Sequence, residues 1–450
     1  MCYGVVKINF KPELNATTLA CNTSLQDRSS VKTLTMGSEA SRGEQFLSLY
    51  SSVAIFLLGA VALVVPSGYS LGSGLLLLGS FSLLFRRPSL ALRKEDWLII
   101  AVLLAYMAAD ILEIWLDGQP SRELDKASRF LFAIPALLLL LAYPPRAAYM
   151  WAGLAVGGFA TGSWAVWQKL FEGVTRAEGF TNTINFGNLS MLMGVLCLAG
   201  LGWAMAQRYP RLWVGILLMG ALGGVLGSFL SGSRGGWIGI PFVMLVLYRA
   251  YGSYLSGRWL AGILASLFIG AAIVLTTPQL GVQARITQAT DQLVDFVEKG
   301  NVHSSVGVRL KMWHTAIELI PEKPLLGWGE LGYAQARDDL IDQGFVGPWI
   351  ERYGHVHNDF LDAWLKQGIL GLLALLALYL VPLKLFAQRL QSQDLVLRSF
   401  AVAGMLLPVA YIDFGLTQVF LAHNSGVMMY AFWLVVLWAS MRNYEHVALK

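Results

Sequence analysis

Charge is what this 450-residue chain lacks most: 14% of its residues are Asp, Glu, Lys or Arg, against about 25% in soluble globular domains. So little polar side chain cannot clothe an ordinary soluble fold, and 56% of the residues are hydrophobic. Cysteine is scarce as well. Cys2 and Cys21 sit in a polar N-terminal stretch and Cys197 inside an apolar run. The one long polar segment, 278–356, holds none, which excludes a disulfide framework or a thiolate metal site there. DxD-type carboxylates are missing, as is a nucleotide-binding fingerprint in its strand-and-helix setting. The composition predicts no metal, no cofactor and no nucleic-acid partner.

What the chain has in abundance is apolar runs of about 17 to 25 residues, each able to cross a hydrocarbon core ~30 Å thick. The expected fold is an all-α polytopic membrane protein of about twelve transmembrane helices. The spans fall near 47–66, 70–86, 96–117, 127–143, 148–168, 183–205, 211–230, 236–250, 257–277, 358–384, 399–418 and 423–441. Alternate connections are basic: Arg86, Arg87, Arg93 and Lys94; then Arg146; then Arg208 and Arg211; then Arg249 and Arg258; then Lys384, Arg389 and Arg398. By the positive-inside rule these share the cytoplasm with both termini. Residues 1–45 read as a disordered cytoplasmic tail, 46–277 as spans 1–9 and 278–356 as a mostly helical cap on the opposite side. Residues 357–441 read as spans 10–12 and 442–450 as a cytoplasmic tail. A polar connection of roughly 80 residues is uncommon and usually functional.

Four polar clusters share the cap's side. "TRAEGFTNTINFGN" offers Arg176, and an interfacial loop with a snorkelling arginine explains it equally well. "SGSRGGWIG" combines Ser233 and Arg234 with a glycine-rich turn, suited to an anion or simply to a tight turn near headgroups. In "VGVRLKMWHTA", Arg309 and Trp313 lie one turn apart on one helical face while Lys311 points elsewhere, as an amphipathic cap helix alone would require. "GHVHNDFLDAWLKQGILG" sets His355 and His357 before a helix capped by Asn358 or Asp359. A neutral imidazole there can take a proton from a hydroxyl, and Asp359 either orients it or caps the helix. Arginines for a diphosphate beside one base suit attack by a hydroxyl on a lipid-diphosphate-linked donor.

These motifs resemble those of the O-antigen ligases, within the superfamily that also holds the O-antigen polymerases and bacterial protein O-oligosaccharyltransferases. The ligase motif is His, then Asn, Ser or Gln, nine residues, then Gly-x-x-Gly. Here it reads His357, Asn358, the nine residues from Asp359 to Gln367, then Gly368 and Gly371. "RAEGFTN", "SGSRGG", "RLKMW" and "PLLGWGELG" precede it in the superfamily's order, and the resemblance covers about residues 45–440. It implies a metal-independent, inverting glycosyltransferase in the Gram-negative inner membrane with a periplasmic active site. Polysaccharide would move from undecaprenyl diphosphate to a sugar of lipid A–core. His357 would be the base and Arg234, Arg309 and Arg176 would hold the diphosphate, with Asn358, Asp359, Ser233 and Trp313 in support.

Three other readings stand beside it. Arg176 and Gly187 match an Arg-x10-Gly pattern associated with some polymerases, although Ile320 stands where a second copy at Arg309 would need glycine. A protein O-oligosaccharyltransferase would need a C-terminal soluble domain. A lipid-linked glycan transporter would place polar residues on both membrane sides and near mid-bilayer, whereas here they gather at one face.

Overall fold

The computed structural model describes residues 41–233, 235–252 and 304–448, with isolated positions between 287 and 302. The helices belong to one compact unit, Gly43–Lys450, and no strand occurs among the described residues. In chain order they are α1 (Arg42–Ala60), α2 (Gly68–Ser80), α3 (Ser82–Arg86), α4 (Lys94–Leu116), α5 (Leu124–Ala142) and α6 (Ala147–Leu170). There follow α7 (Thr183–Ala199), α8 (Leu201–Met205), α9 (Pro210–Ser231) and α10 (Ile240–Tyr251). After the cap helices α11 (Ser305–Leu319) and α12 (Gly329–Asp342) come α13 (Asp359–Ala387), α14 (Leu395–Gly415) and α15 (Asn424–Ala448).

Among the described residues, 8 helical stretches are long and apolar enough to cross a membrane. Two of them join neighbouring helices, α2 with α3 and α7 with α8. The span expected at 257–277 lies outside the described residues. The eighth span is short: a 3-10 turn at Gly235–Trp237 and then α10, with Pro241 in its first turn. Helices α6 and α9 meet backbone to backbone. A Cβ on Gly158 would lie 2.4 Å from the Gly220 carbonyl oxygen, and one on Gly162 2.5 Å from that of Gly223. Small residues of this kind let apolar helices approach where no hydrophobic drive separates helix from lipid.

The final helix, α15, is the most enclosed, with nearly every residue from Ser425 to Met441 buried. Its C-terminal end is clasped by charge. Trp438 Nε1 donates to Asp96 Oδ1 at 2.8 Å, and Glu445 pairs with Arg389 at 2.7 Å and Arg93 at 3.4 Å. Its other end begins at the segment described next, so the two ends of the bundle differ in kind.

The cap has its own small core, in which Val308, Met312 and Leu319 of α11 pack with Tyr333, Ala336 and Leu340 of α12 and with Ile350, Val356 and Leu365. It docks by interrupting α13. At Gly368 the chain leaves helical geometry (φ 67°, ψ −164°), a region essentially closed to residues with a Cβ. Around that break Ile369 N–H donates to Pro324 O at 2.8 Å, and Trp328 N–H donates to Leu365 O at 2.8 Å. The sequence expected one uninterrupted span from 358 to 384; the structure breaks it where "PLLGWG" inserts. The nine residues between Asn358 and Gly368 are therefore a short helix of about 13.5 Å, bounded by a cap at one end and the cap domain's strap at the other.

Candidate active site

Asn358 ends the loop and starts the helix. Its Oδ1 accepts from the N–H groups of Phe360 and Leu361, each at 3.0 Å, satisfying two of the donors that a helix start leaves open. Of the two candidates for the cap, Asn358 fills the role. Asp359 turns the other way, its Oδ1 accepting from Phe420 N–H at 3.0 Å. It ties the segment before α15 to the start of α13 and does not orient His357.

The turn preceding Asn358 is held at Gly354 and Val356. Trp313 Nε1 donates to Val356 O at 3.0 Å, Val356 N–H donates to Asp362 Oδ1 at 3.0 Å, and Lys366 Nζ donates to Gly354 O at 2.6 Å. Lys366 is buried between Glu330 of the cap, at 2.5 Å, and Asp362, at 3.2 Å. So tethered, His357 adopts φ 56°, a left-handed conformation that costs a side-chain-bearing residue on the order of 1–3 kcal/mol.

Three imidazoles gather here. The ring of His357 lies 4.3 Å from that of His355 and 5.5 Å from Tyr353, and His355 lies 6.2 Å from His423. His423 Nε2 is 2.9 Å from Gln418 Nε2. An amide N–H can only donate, so His423 accepts there. Burial pushes His357 down to about 4, helped by His355 and by the cationic Arg309. Burial also takes His355 down to about 4, with Lys366 and His423 acting in the same direction. His423 is lowered by burial and by Lys126. All three rings are neutral at pH 7. Among the described residues, no group of three or more His, Cys, Asp or Glu is arranged to hold a metal ion.

The two outer clusters meet each other. Arg176 Nε donates to Ser231 O at 2.8 Å, and Ser233 Oγ donates to Asn188 Oδ1 at 3.0 Å. Arg234 itself lies outside the described residues. Gly187 lies under this turn, where a Cβ would fall 2.0 Å from Ser231 Oγ. The glycine of the Arg-x10-Gly pattern thus has a packing reason of its own. The turn borders the 413–420 segment, since a Cβ on Gly235 would meet Thr417 Oγ1 at 2.3 Å. From the other side Asn358 Nδ2 donates to Leu416 O at 3.4 Å. That segment separates the serine–arginine turn from the histidine loop. On α11, Trp313 and Arg309 both bear on the histidine loop, while Lys311 lies over the Phe345 ring at 4.0 Å.

Sequence reasoning missed several residues of this site: His423 with Gln418, the Asp362–Lys366–Glu330 network, and Asp110 with Glu113 on α4. Two carboxylates one turn apart near the end of a span were a legible signal. His423 carried none, because its contact with His355 joins residues distant in sequence.

Fold and site together define a multi-pass membrane protein of helices whose histidines gather at one end under a helical cap. Residues 221–376 match the family model described as O-antigen ligase, a stretch running from α9 through the serine turn, the cap and the histidine loop. That stretch is similar to the O-antigen ligase family, and the match supports an activity of the O-antigen ligase and polymerase type. An uncharacterized protein of Haemophilus influenzae is 28% identical over 391 residues, which is 86% of this chain and 97% of the relative.

Proposed function

We propose that the protein is an O-antigen ligase that transfers polysaccharide from undecaprenyl diphosphate to a sugar hydroxyl of lipid A–core, with inversion, at the periplasmic face of the inner membrane. His357 takes the proton of the acceptor hydroxyl as its oxygen attacks the anomeric carbon. The carbon–oxygen bond to the diphosphate breaks on the opposite face, and undecaprenyl diphosphate leaves with the charge. Arg309, Arg176 and Arg234 hold that charge as it develops. Asn358 and Trp313 fix the loop, Asp359 fixes the segment beside it, and Ser233 supports the anion turn. The reading requires neither a metal nor a cofactor.

The observation that supports this most is a neutral imidazole at His357, in a left-handed turn tethered at Gly354 and Val356, with Arg309 close enough to depress it. An imidazole at about 4 is a weak base, lowered chiefly by burial and by His355 and further by Arg309. A diphosphate beside Arg309 would offset the guanidinium charge and recover that last part, so His357 gains basicity when donor is bound. Polymerase is the second reading, favoured by no observation here once Gly187 is explained by packing.

His357→Ala tests the base. Purified from membranes as a monodisperse, helical protein, it should lose about hundredfold or more in transfer rate. Near-wild-type turnover in such a protein would remove His357 from the mechanism.

A further inference from the structure

The strap that breaks α13 belongs to the one long polar segment of the chain, yet its own sequence, Pro324 to Trp328, reads "PLLGW". Leu325 is 68% exposed and Leu326 48%. Neither packs into the cap's core, whose members lie elsewhere on α11, α12 and the start of α13. Apolar side chains thrust outward from a polar segment need a covering, and their depth in the bundle decides which.

Depth is fixed by the break. Ile369 N–H donates to Pro324 O at 2.8 Å, and a Cβ on Gly368 would lie 2.2 Å from Leu325 O, so Leu325 stands level with Gly368. From Gly368 the helix runs without a charged residue to Lys384, about 24 Å at 1.5 Å per residue. A hydrocarbon core is ~30 Å thick. With Lys384 at the far face, Gly368 and the strap beside it therefore fall inside the hydrocarbon, and any tilt of α13 sinks them further. The surface is continuous as well. Leu370, Leu373 and Leu380 face outward along α13, and Ile111 and Trp115 face outward on α4. The segment joins both helices, since Leu331 N–H donates to Asp117 Oδ2 at 2.7 Å just beyond Trp115.

Backbone at such a depth must satisfy its polar groups without water. Pro324 brings no N–H, and its carbonyl oxygen accepts from both Ile369 N–H and Trp364 Nε1, the latter at 3.3 Å. Gly327 N–H donates to Lys323 O at 3.0 Å. Lys323 Nζ lies 4.0 Å over the Trp328 ring, the pairing of cation and indole that suits the boundary between headgroups and acyl chains.

We propose that Leu325 and Leu326 are immersed in the acyl region of the phospholipid leaflet on the cap's side, making the strap a membrane anchor for the cap. A second protein is the poorer occupant, because two leucines fall far short of the roughly 1,000 Å² that a specific protein interface buries. The anchor has a consequence for the site. Glu330, two residues past Trp328, pairs with Lys366, and Lys366 holds the Gly354 carbonyl of the histidine loop. Anchoring the strap thus holds His357 at the level where lipid-borne molecules present their head groups.

The test uses the full chain carrying Cys2→Ser, Cys21→Ser and Cys197→Ala, in nanodiscs of phosphatidylethanolamine and phosphatidylglycerol. Nitroxide labels are attached at Leu325→Cys and, separately, at Leu326→Cys, with Leu373→Cys on α13 as the acyl-chain reference and Asp338→Cys on α12 as the water reference. Power-saturation EPR compares relaxation by oxygen, which concentrates in hydrocarbon, with relaxation by a water-soluble nickel chelate. Labels at 325 and 326 should show the oxygen-dominated ratio of the 373 label, and the 338 label the reverse. If one strap variant fails to fold, the other carries the test. A chelate-dominated ratio at the strap would put it in water and overturn the proposal. Shielding from both reagents would overturn it too, by showing that protein covers the leucines.

Discussion

His357 combines two costs, a left-handed backbone and a half-buried ring near the Arg309 guanidinium, and a loop held by three hydrogen bonds absorbs them. Its pH behaviour follows with a definite sign. The base must be unprotonated, so activity is lost as pH falls through its folded value. With that value pushed down to about 4, kcat/KM should hold at pH 5.5, where an ordinary histidine near 6.5 would be about nine-tenths protonated. Donor binding raises the imidazole, so the acidic limb of kcat should sit at higher pH than that of kcat/KM. A limb near 6.5 in kcat/KM would contradict the depressed base. Among the arginines, Arg234→Lys should slow transfer by at least about tenfold, because a point charge does not reproduce a planar two-pronged grip on phosphate oxygens. Kinetics unchanged in that variant would assign Arg234 to headgroups.

Among the elements, α13 decides the site. Its first nine residues, capped by Asn358, carry the tether Asp359 and the Asp362–Lys366 pair, and its break at Gly368 admits the cap strap. Gly368→Ala places a Cβ about 2.2 Å from the Leu325 carbonyl oxygen and forces a glycine-only conformation. We expect a loss on the order of 1–3 kcal/mol, seen as a lowered Tm in detergent, together with impaired transfer. An unchanged Tm would mean that the strap does not depend on the break. The spans themselves were legible, since hydropathy needs no partners: 96–117 became Lys94–Leu116 and 211–230 became Pro210–Ser231. The break was not, because glycine is common in membrane helices and the strap that exploits it is 40 residues earlier. The histidine loop was legible as a cluster of unlike polar groups before an apolar run. The Asp362–Lys366 pair had a local trace in its i,i+4 spacing, whereas its Glu330 partner in the cap and the His355–His423 contact depend on tertiary neighbours. Asp359 was ambiguous in sequence, and the backbone N–H of Phe420 decided it.

Across the whole molecule the ends of the bundle are specialised. At one, Asp96, Trp438, Glu445, Arg93 and Arg389 lock the last helix to the start of α4 and the end of α13. At the other, neutral imidazoles stand near Arg309 under a cap with its own core. That division suits a protein that brings two lipid-borne substrates together at one membrane face.

The most direct test of this account uses purified protein in detergent with chelator, given undecaprenyl-diphosphate-linked glycan with and without lipid A–core and resolved on a gel. The account predicts lipid A–core shifted up by the glycan, despite the chelator, and no product when the acceptor is omitted. Longer lipid-linked glycan formed without lipid A–core would contradict it and make the protein a polymerase. Absence of product in both tubes, from folded protein, would contradict the chemistry altogether.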